Sequence, residues 1–369
     1  MNCKICYRDM CGLCRLSLNH QQCVDDKICS CQKINLLING GQPEIKSSNI
    51  ITKLFENFLD DNKYSILSFN GTDGAIRNTQ NKDLILWFPD ISNEEEKNYP
   101  KKDKGAVLIC SKVMREGYSE LDAITRIFKM NGNAVVAIYK DDPKKMRFKL
   151  IDALGNCWID TYDINMLCVA IREFYDWTKK SIRVSLKYNQ LPKEISDMYL
   201  SGNKLDFFIY INNKLSNKVV SAIGKRFFGN LSTRCMKLFP TVRKQHDIYF
   251  ISPRNVDKSK LTEKDFIICD KTFHYYGDRK PSVDSPIQIS LYNKFPEINY
   301  MIHGHAYISD VEMTSEYVPC GDMREVDEIL KIWGDEPMNI NLKNHGFIIV
   351  AKTLEELDNI INNVKMESL

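Results

Sequence analysis

The sequence predicts an α/β protein of more than one domain, and three observations carry that expectation. Residues 36–180 alternate short, β-prone apolar runs with segments of helical spacing. Further on, two histidines two residues apart follow an apolar, strand-like run. The first thirty-one residues hold seven of the thirteen cysteines, in a stretch too short to bury a core of its own. A length of 369 residues points to two or three domains, and 43% hydrophobic residues suffice for proper cores.

The head, residues 1–35, comes first. Cys3-x-x-Cys6 and Cys11-x-x-Cys14 are two thiolate-knuckle spacings in tandem, followed by Cys23, Cys29 and Cys31, with His20 among them. In a reducing compartment such a cluster is expected to be ordered by structural zinc rather than by disulfides. A disulfide module and a redox-active or disordered tail are the alternatives, and spacing does not say which of the eight ligands pair. The other six cysteines sit singly in apolar contexts, as in Ile109-Cys110 and Ile268-Cys269, and read as small buried hydrophobes.

In residues 36–180, strands are expected at Tyr64–Phe69, Asp83–Phe88, Gly105–Cys110 and Asn133–Tyr139. Helical spacing marks Ser119–Met130, through Leu121, Ile124, Ile127 and Phe128, and again Ile164–Thr178. Strands separated by helices predict a three-layer α/β domain with a largely parallel sheet, Rossmann- or flavodoxin-like. Asn70-Gly71-Thr72-Asp73-Gly74 follows a strand and reads as a tight loop, since it is neither Gly-x-Gly-x-x-Gly nor a Walker loop. Ser111–Gly117 is read as lying at the carboxyl end of a strand, with Lys112 and Arg115 either solvated or meeting an anion. Asn93–Lys104 reads as a solvated loop, and Lys179–Pro192 as the joint to the next domain.

The chemistry concentrates at His303-Gly304-His305 and, forty residues later, Asn344-His345-Gly346, which together hold three of the six histidines. Imidazoles at i and i+2 of a strand share a face, so both can reach one cation, with a third ligand arriving from another strand. The competing expectation is three unrelated surface or core histidines.

The neighbouring motifs bear on that choice. Upstream run Gly229-Asn230-Leu231-Ser232-Thr233-Arg234, Tyr249-Phe250-Ile251-Ser252-Pro253 and Lys280-Pro281-Ser282-Val283-Asp284-Ser285-Pro286. Phe295-Pro296-Glu297-Ile298-Asn299 precedes the histidine pair, and Gly346-Phe347-Ile348-Ile349-Val350 follows the third histidine. In this order and spacing, residues 195–369 resemble the class II aldolase/adducin family. The resemblance implies that residues 181–369 form an α/β/α domain around a mostly antiparallel sheet, assembled as a homo-oligomer, typically a ring-shaped tetramer. It also implies one divalent metal, typically zinc, held by His303, His305 and His345. Asp284 takes the family's acidic position, as catalytic base or fourth ligand; capping the following helix is the competing role. A phosphate cradle is implied at Gly229, Asn230, Ser232 and Ser282. Val283 departs from a second hydroxyl residue, Phe227 from a small polar one, and Arg254 from glycine. Arg254 either pairs with an anion directly or marks a remodelled pocket. The segment between His305 and Pro319 is short, and neither Tyr307 nor Tyr317 aligns with the tyrosine acid of the aldolases.

The function this implies is a zinc-dependent class II aldolase-like lyase acting on a small, phosphorylated sugar through a metal-stabilised enediolate. Epimerase or dehydratase chemistry, a non-catalytic adducin-like scaffold, and a main function in residues 36–180 are the alternatives. A net charge of +3 offers no case for nucleic acid or an anionic membrane. Without a run of roughly eighteen apolar residues or a signal-like start, the expectation is a soluble, cytoplasmic protein.

Overall fold

The computed structural model describes residues 33–39, 45–69, 81–88, 102–103, 105–142, 145–182, 184–190, 205–218, 229–235, 248–254 and 256–367. The candidate head ligands Cys3, Cys6, Cys11, Cys14, His20, Cys23, Cys29 and Cys31 lie outside them, as do the Asn70–Gly74 loop and Phe227. The chain divides into two compact units, Met1–Trp177 and Thr178–Leu369.

In the first unit the strands are β1 (Ile34–Asn39), β2 (Tyr64–Phe69), β3 (Leu84–Trp87), β4 (Val107–Met114), β5 (Ala134–Asp142), β6 (Lys145–Asp152) and β7 (Cys157–Thr161). The helices are α1 (Ile45–Leu59), α2 (Glu120–Lys129) and α3 (Ile164–Lys179). The sheet order is β2-β1-β3-β4-β5-β6-β7. β1 through β5 pair in parallel, whereas β6 and β7 add an antiparallel edge. Leu36, Leu37 and Ile38 are all fully buried, so β1 is apolar on both faces, as a covered parallel strand must be. The connections β1–α1–β2 and β4–α2–β5 run outward in opposite directions along the sheet. Right-handed crossovers therefore put α1 and α2 on opposite faces, which makes the three layers. α1 and α3 share one core, in which Leu54, Phe58, Leu167, Ile171 and Phe174 pack on Leu36, Leu84 and Val136.

One expectation is corrected here. Ser111–Met114 continue β4, held by pairing to Val136–Tyr139, and are not a loop. Lys112 lies over the Tyr118 ring at 4.5 Å, a cation–π contact that gives it a structural role.

The second unit centres on an eight-stranded sheet. Its strands are β8 (Lys187–Asn189), β9 (Asn230–Arg234), β10 (Ile248–Ile251), β11 (Ile267–Asp270), β12 (His274–Tyr276), β13 (Tyr300–Gly304), β15 (Ile340–Leu342) and β16 (Gly346–Ala351). The order is β15-β16-β13-β9-β10-β11-β12-β8, and every pair but β12–β8 is antiparallel. A separate ribbon joins β14 (Tyr307–Ile308) to β17 (Met366–Glu367). Helices α4 (Leu205–Ser216) and α7 (Leu354–Asn363) cover one face, through Phe208, Ile211, Leu357 and Ile361. Helices α5 (Ser285–Lys294) and α6 (Arg324–Trp333) cover the other, through Ile289, Leu291, Ile329 and Trp333. This is the expected α/β/α sandwich on a mostly antiparallel sheet.

The stretch read as a joint is corrected in part. Lys187–Asn189 pair with His274–Tyr276 at the sheet edge, and the Tyr188 ring meets Tyr275 edge-on at 5.7 Å. Among the described residues, no helix is long and apolar enough to cross a membrane.

Candidate metal centre and active site

β13 alternates between two cores. Tyr300 and Ile302 enter the one under α4 and α7, and Met301 enters the one under α5 and α6. His303, two residues beyond Met301, shares its face by the period of a strand. His305 sits one residue past the strand end.

The third histidine arrives on the β15–β16 hairpin, whose turn explains the Asn-His-Gly run. Asn344 adopts φ +53°, which asparagine tolerates better than most residues, and the His345 N–H donates to the Leu342 carbonyl at 3.0 Å. Gly346 has φ +150°, and a Cβ there would stand 2.0 Å from the Gly304 carbonyl oxygen. Glycine thus lets the hairpin close onto the His-Gly-His segment. Tyr307 fixes the same turn, its hydroxyl accepting from the Asn344 N–H at 2.8 Å.

The three imidazoles converge. Their centroids stand 4.8, 5.0 and 5.3 Å apart, and one nitrogen from each lies within 4.8 Å of the others. His303 Nε2 and His305 Nε2 are 3.2 Å apart. That matches the roughly 3.3 Å edge of a tetrahedron with Zn–N bonds of about 2.0–2.1 Å. His303 Nδ1 donates to the Phe347 carbonyl at 2.9 Å, which assigns the lone pair to Nε2. His345 Nδ1 is hydrogen-bonded to the Glu325 carboxylate, which leaves its Nε2 facing the cluster.

Burial, reinforced by the neighbouring His345 charge, lowers His303 to about 4. Burial also holds His305 well below the ordinary histidine range, again with its two neighbours adding to the effect. Both are therefore neutral at neutral pH, the form that binds a cation. His345 is different: burial pulls it down, but the Cys320 sulfur and the Glu325 carboxylate outweigh that and raise it well above. Burial raises Glu325 in turn, against the pull of His345. A proton is thus held on the His345–Glu325 pair.

Asp284 completes the cluster. It stands at the N-cap position of α5, yet its side chain makes no capping bond. Instead Oδ2 lies 3.9 Å from His303 Nε2, while Oδ1 is buried with no hydrogen-bond partner. A buried polar atom left unsatisfied costs about 1–3 kcal/mol, and more when charged. A cation among the imidazoles would satisfy it. The orphaned oxygen and the three nitrogen donors together fit a divalent metal of the zinc type.

Beside this cluster a cavity of about 260 Å³ is lined by Arg254, Tyr275, Lys280, Ser282, Val283 and Gly321, among others. The Arg254 N–H donates to the Lys280 carbonyl at 3.0 Å, which sets the two cationic residues side by side. Ser282 opens the turn that carries Asp284, and Gly321 packs on the Val283 carbonyl. Val283 and Gly321 in the cavity wall are the chain neighbours of Asp284 and Cys320, while the three histidines are not among its lining residues.

The expected cradle residues separate into two groups. Ser282 and Arg254 line the cavity, whereas Gly229, Asn230 and Ser232 are not among its lining residues. Asn230 Nδ2 donates to Ser282 Oγ at 3.1 Å, so it supports the cavity wall from behind. The Ser232 hydroxyl is fully buried, 3.1 Å from the Tyr292 hydroxyl. Gly229 has φ +105°, and a Cβ there would stand 2.3 Å from the His303 carbonyl oxygen, so it is needed where β9 lies against β13.

Two residues escaped the sequence reading. Cys320, taken there for a buried hydrophobe, puts Sγ 3.1 Å from His345 Nε2 and forms a second donor group with Asp284 and His345. Cys157 departs from that reading too, being exposed. Glu325 had a sequence signal. It lies on the Glu325, Ile329, Trp333 stripe of α6, and an acid on an otherwise apolar stripe needs a buried partner. Replacing Glu325 by Gln keeps the volume but removes the anion behind His345. Zinc affinity is expected to fall about 10- to 100-fold, read by competition against a chromophoric chelator. An unchanged affinity would deny Glu325 that orienting role.

Fold and site together define an α/β/α unit built around a buried three-imidazole centre. Residues 221–362 match the family described as Class II Aldolase and Adducin N-terminal domain, so the second unit carries a class II aldolase/adducin-type domain. An L-fuculose 1-phosphate aldolase is similar at 21% identity over 44% of this chain and 81% of its own, with a TM-score of 0.35. YgbL, a putative aldolase/epimerase/decarboxylase from Klebsiella pneumoniae, is similar at 17% identity over 44% and 84%, also at 0.35. For the L-fuculose-1-phosphate aldolase of Thermus thermophilus the figures are 15%, 42%, 86% and 0.32.

Proposed function

We propose that the second unit is a zinc-dependent class II aldolase-like lyase that cleaves a small, phosphorylated sugar, in a protein that assembles as a homo-oligomer. The observation that supports this best is the convergence of three buried imidazoles and the orphaned Asp284 carboxylate beside a cation-rimmed cavity. His303, His305 and His345 would hold the metal. When bound, it supplies Lewis acidity toward adjacent hydroxyl and carbonyl oxygens of the substrate. Asp284 accepts the hydroxyl proton whose departure drives C–C cleavage, as its buried, unbonded oxygen can do without breaking an existing contact. Arg254 and Lys280 bind the anionic end of the sugar, in a cavity whose wall also holds Val283 and Gly321. Glu325 keeps the His345 ring in place. Epimerase and dehydratase reactions draw on the same groups.

A non-catalytic binding role is the competing reading. The Tyr307 hydroxyl favours it in one respect, since it is engaged by the Asn344 N–H in holding the hairpin. Assaying the zinc-loaded protein for aldehyde release from ketose 1-phosphates and from the matching free ketoses separates the two. We expect cleavage of the phosphorylated series. Arg254→Ala is expected to raise KM for that series about 10- to 100-fold, the worth of one charge-assisted hydrogen bond. No release from either series would leave the binding role standing.

A further inference from the structure

We propose that residues 184–186 are a strap that closes the anion cavity and, through Leu186, limits how bulky a phosphate monoester it admits. This rests on the reading of that cavity as the seat of the sugar's anionic end. Val184, Ser185 and Leu186 all line the cavity, yet they precede the family-matched residues 221–362. The matched domain supplies the two cations, and the segment in front of it supplies a further wall.

Backbone bonds hold the strap at both ends. The Ile182 carbonyl accepts from the Met323 N–H at 2.8 Å, just before α6, and the Lys187 N–H donates to the Phe273 carbonyl at 2.8 Å, just before β12. Both anchors adjoin other walls of the cavity, since Gly321 lies two residues before Met323 and Tyr275 two residues after Phe273. Beyond the strap, β8 pairs in parallel with β12, and the Tyr188 ring meets Tyr275 edge-on. A parallel edge strand cannot be supplied by a tight hairpin, so β8 requires a segment that arrives from elsewhere in the chain.

Leu186 is the fixed side chain of the three. It is half-buried and packs on the core beneath α5 and α6, whereas Val184 and Ser185 are exposed. At about 260 Å³ the cavity has room for roughly nine waters. That is below the roughly 300–1,000 Å³ of sites for drug-sized ligands, so a phosphate and its nearest atoms fit and a nucleotide does not. The lining is also uneven in kind. Arg254, Lys280 and Ser282 serve an anion, while Val184, Leu186 and Pro286 are apolar. A second charge set against the strap would lose water without gaining a partner. A single phosphate monoester is therefore the class of ligand this wall allows.

Calorimetric titration of the full-length protein with inorganic phosphate and with phenyl phosphate tests the strap, with no need for turnover. Leu186→Ala is expected to tighten phenyl phosphate about 10-fold or more while leaving inorganic phosphate unchanged, and the volume-conserving Leu186→Met to bind both as the wild type does. Loss of inorganic phosphate binding in Arg254→Ala identifies the cavity as the site. If that loss is seen but Leu186→Ala keeps the wild-type preference between the two probes, the strap proposal fails and the anion reading of the cavity stands. Inorganic phosphate that does not bind, or binds equally in Arg254→Ala, overturns both. Should Leu186→Ala fail to fold, the exposed Ser185→Glu replaces it, compared with Lys187→Gln, which makes the same change of charge outside the cavity lining. A larger loss of inorganic phosphate affinity in Ser185→Glu supports the strap, and an equal loss in the two refutes it.

Discussion

Replacing His303 and His305 together by alanine is expected to lower the zinc content of the purified full-length protein by one ion per chain. The loss of affinity should exceed the roughly 10- to 100-fold that losing an outer-shell partner costs, because two direct donors disappear. Metal analysis after dialysis against a weak chelator reads the result, and zinc held by the head cysteines appears equally in both proteins. These two positions are preferable to His345. Removing that ring would leave the Glu325 carboxylate buried without its partner, a loss of about 3–5 kcal/mol that confuses metal loss with unfolding. His303 leaves behind only the Phe347 carbonyl, at about 1–3 kcal/mol. An unchanged zinc content would remove the basis for any metal chemistry in the second unit.

The second large effect is expected at Asp284. Asp284→Asn keeps the shape of the side chain and withdraws its proton-accepting oxygen. Lyase turnover should fall about 10²- to 10⁴-fold, with zinc still held by the three imidazoles. Stability should barely move, since the carboxylate makes no capping bond to α5 despite its N-cap position. A steady-state assay combined with thermal unfolding separates the roles. A drop in melting temperature with unaltered turnover would make Asp284 a structural residue.

These two effects depend on groups of different legibility. The histidines could be read from the chain because their spacing is local, two on one strand face and one in a turn whose Asn and Gly are dictated by backbone conformation. The central parallel strands were legible for a similar reason: β3, β4 and β5 are short apolar runs buried on both faces. β8 was not, because Lys187, Tyr188 and Asn189 are exposed edge residues whose strand exists only by pairing with β12. β6 and β7 were missed likewise, since their alternation is broken by charged residues such as Arg147, paired with Asp141 and Asp160. Cys320 was invisible as a site residue, and the helix stripe that marked Glu325 did not name its partner, since the two lie 25 and 20 positions from His345 and meet it only through the fold. Ser232 shows the reverse case. Its motif suggested a cradle, but the strand register turns its hydroxyl to Tyr292.

The account stands on one claim: His303, His305 and His345, with Asp284 beside them, are the donors of a single divalent metal site. Anomalous X-ray scattering at the zinc edge, from crystals of the zinc-loaded full-length protein, tests it most directly. The account predicts an anomalous peak among the Nε2 atoms of the three histidines, within reach of the Asp284 carboxylate. Zinc found only at the cysteine-rich head, with no peak between the imidazoles, would contradict it.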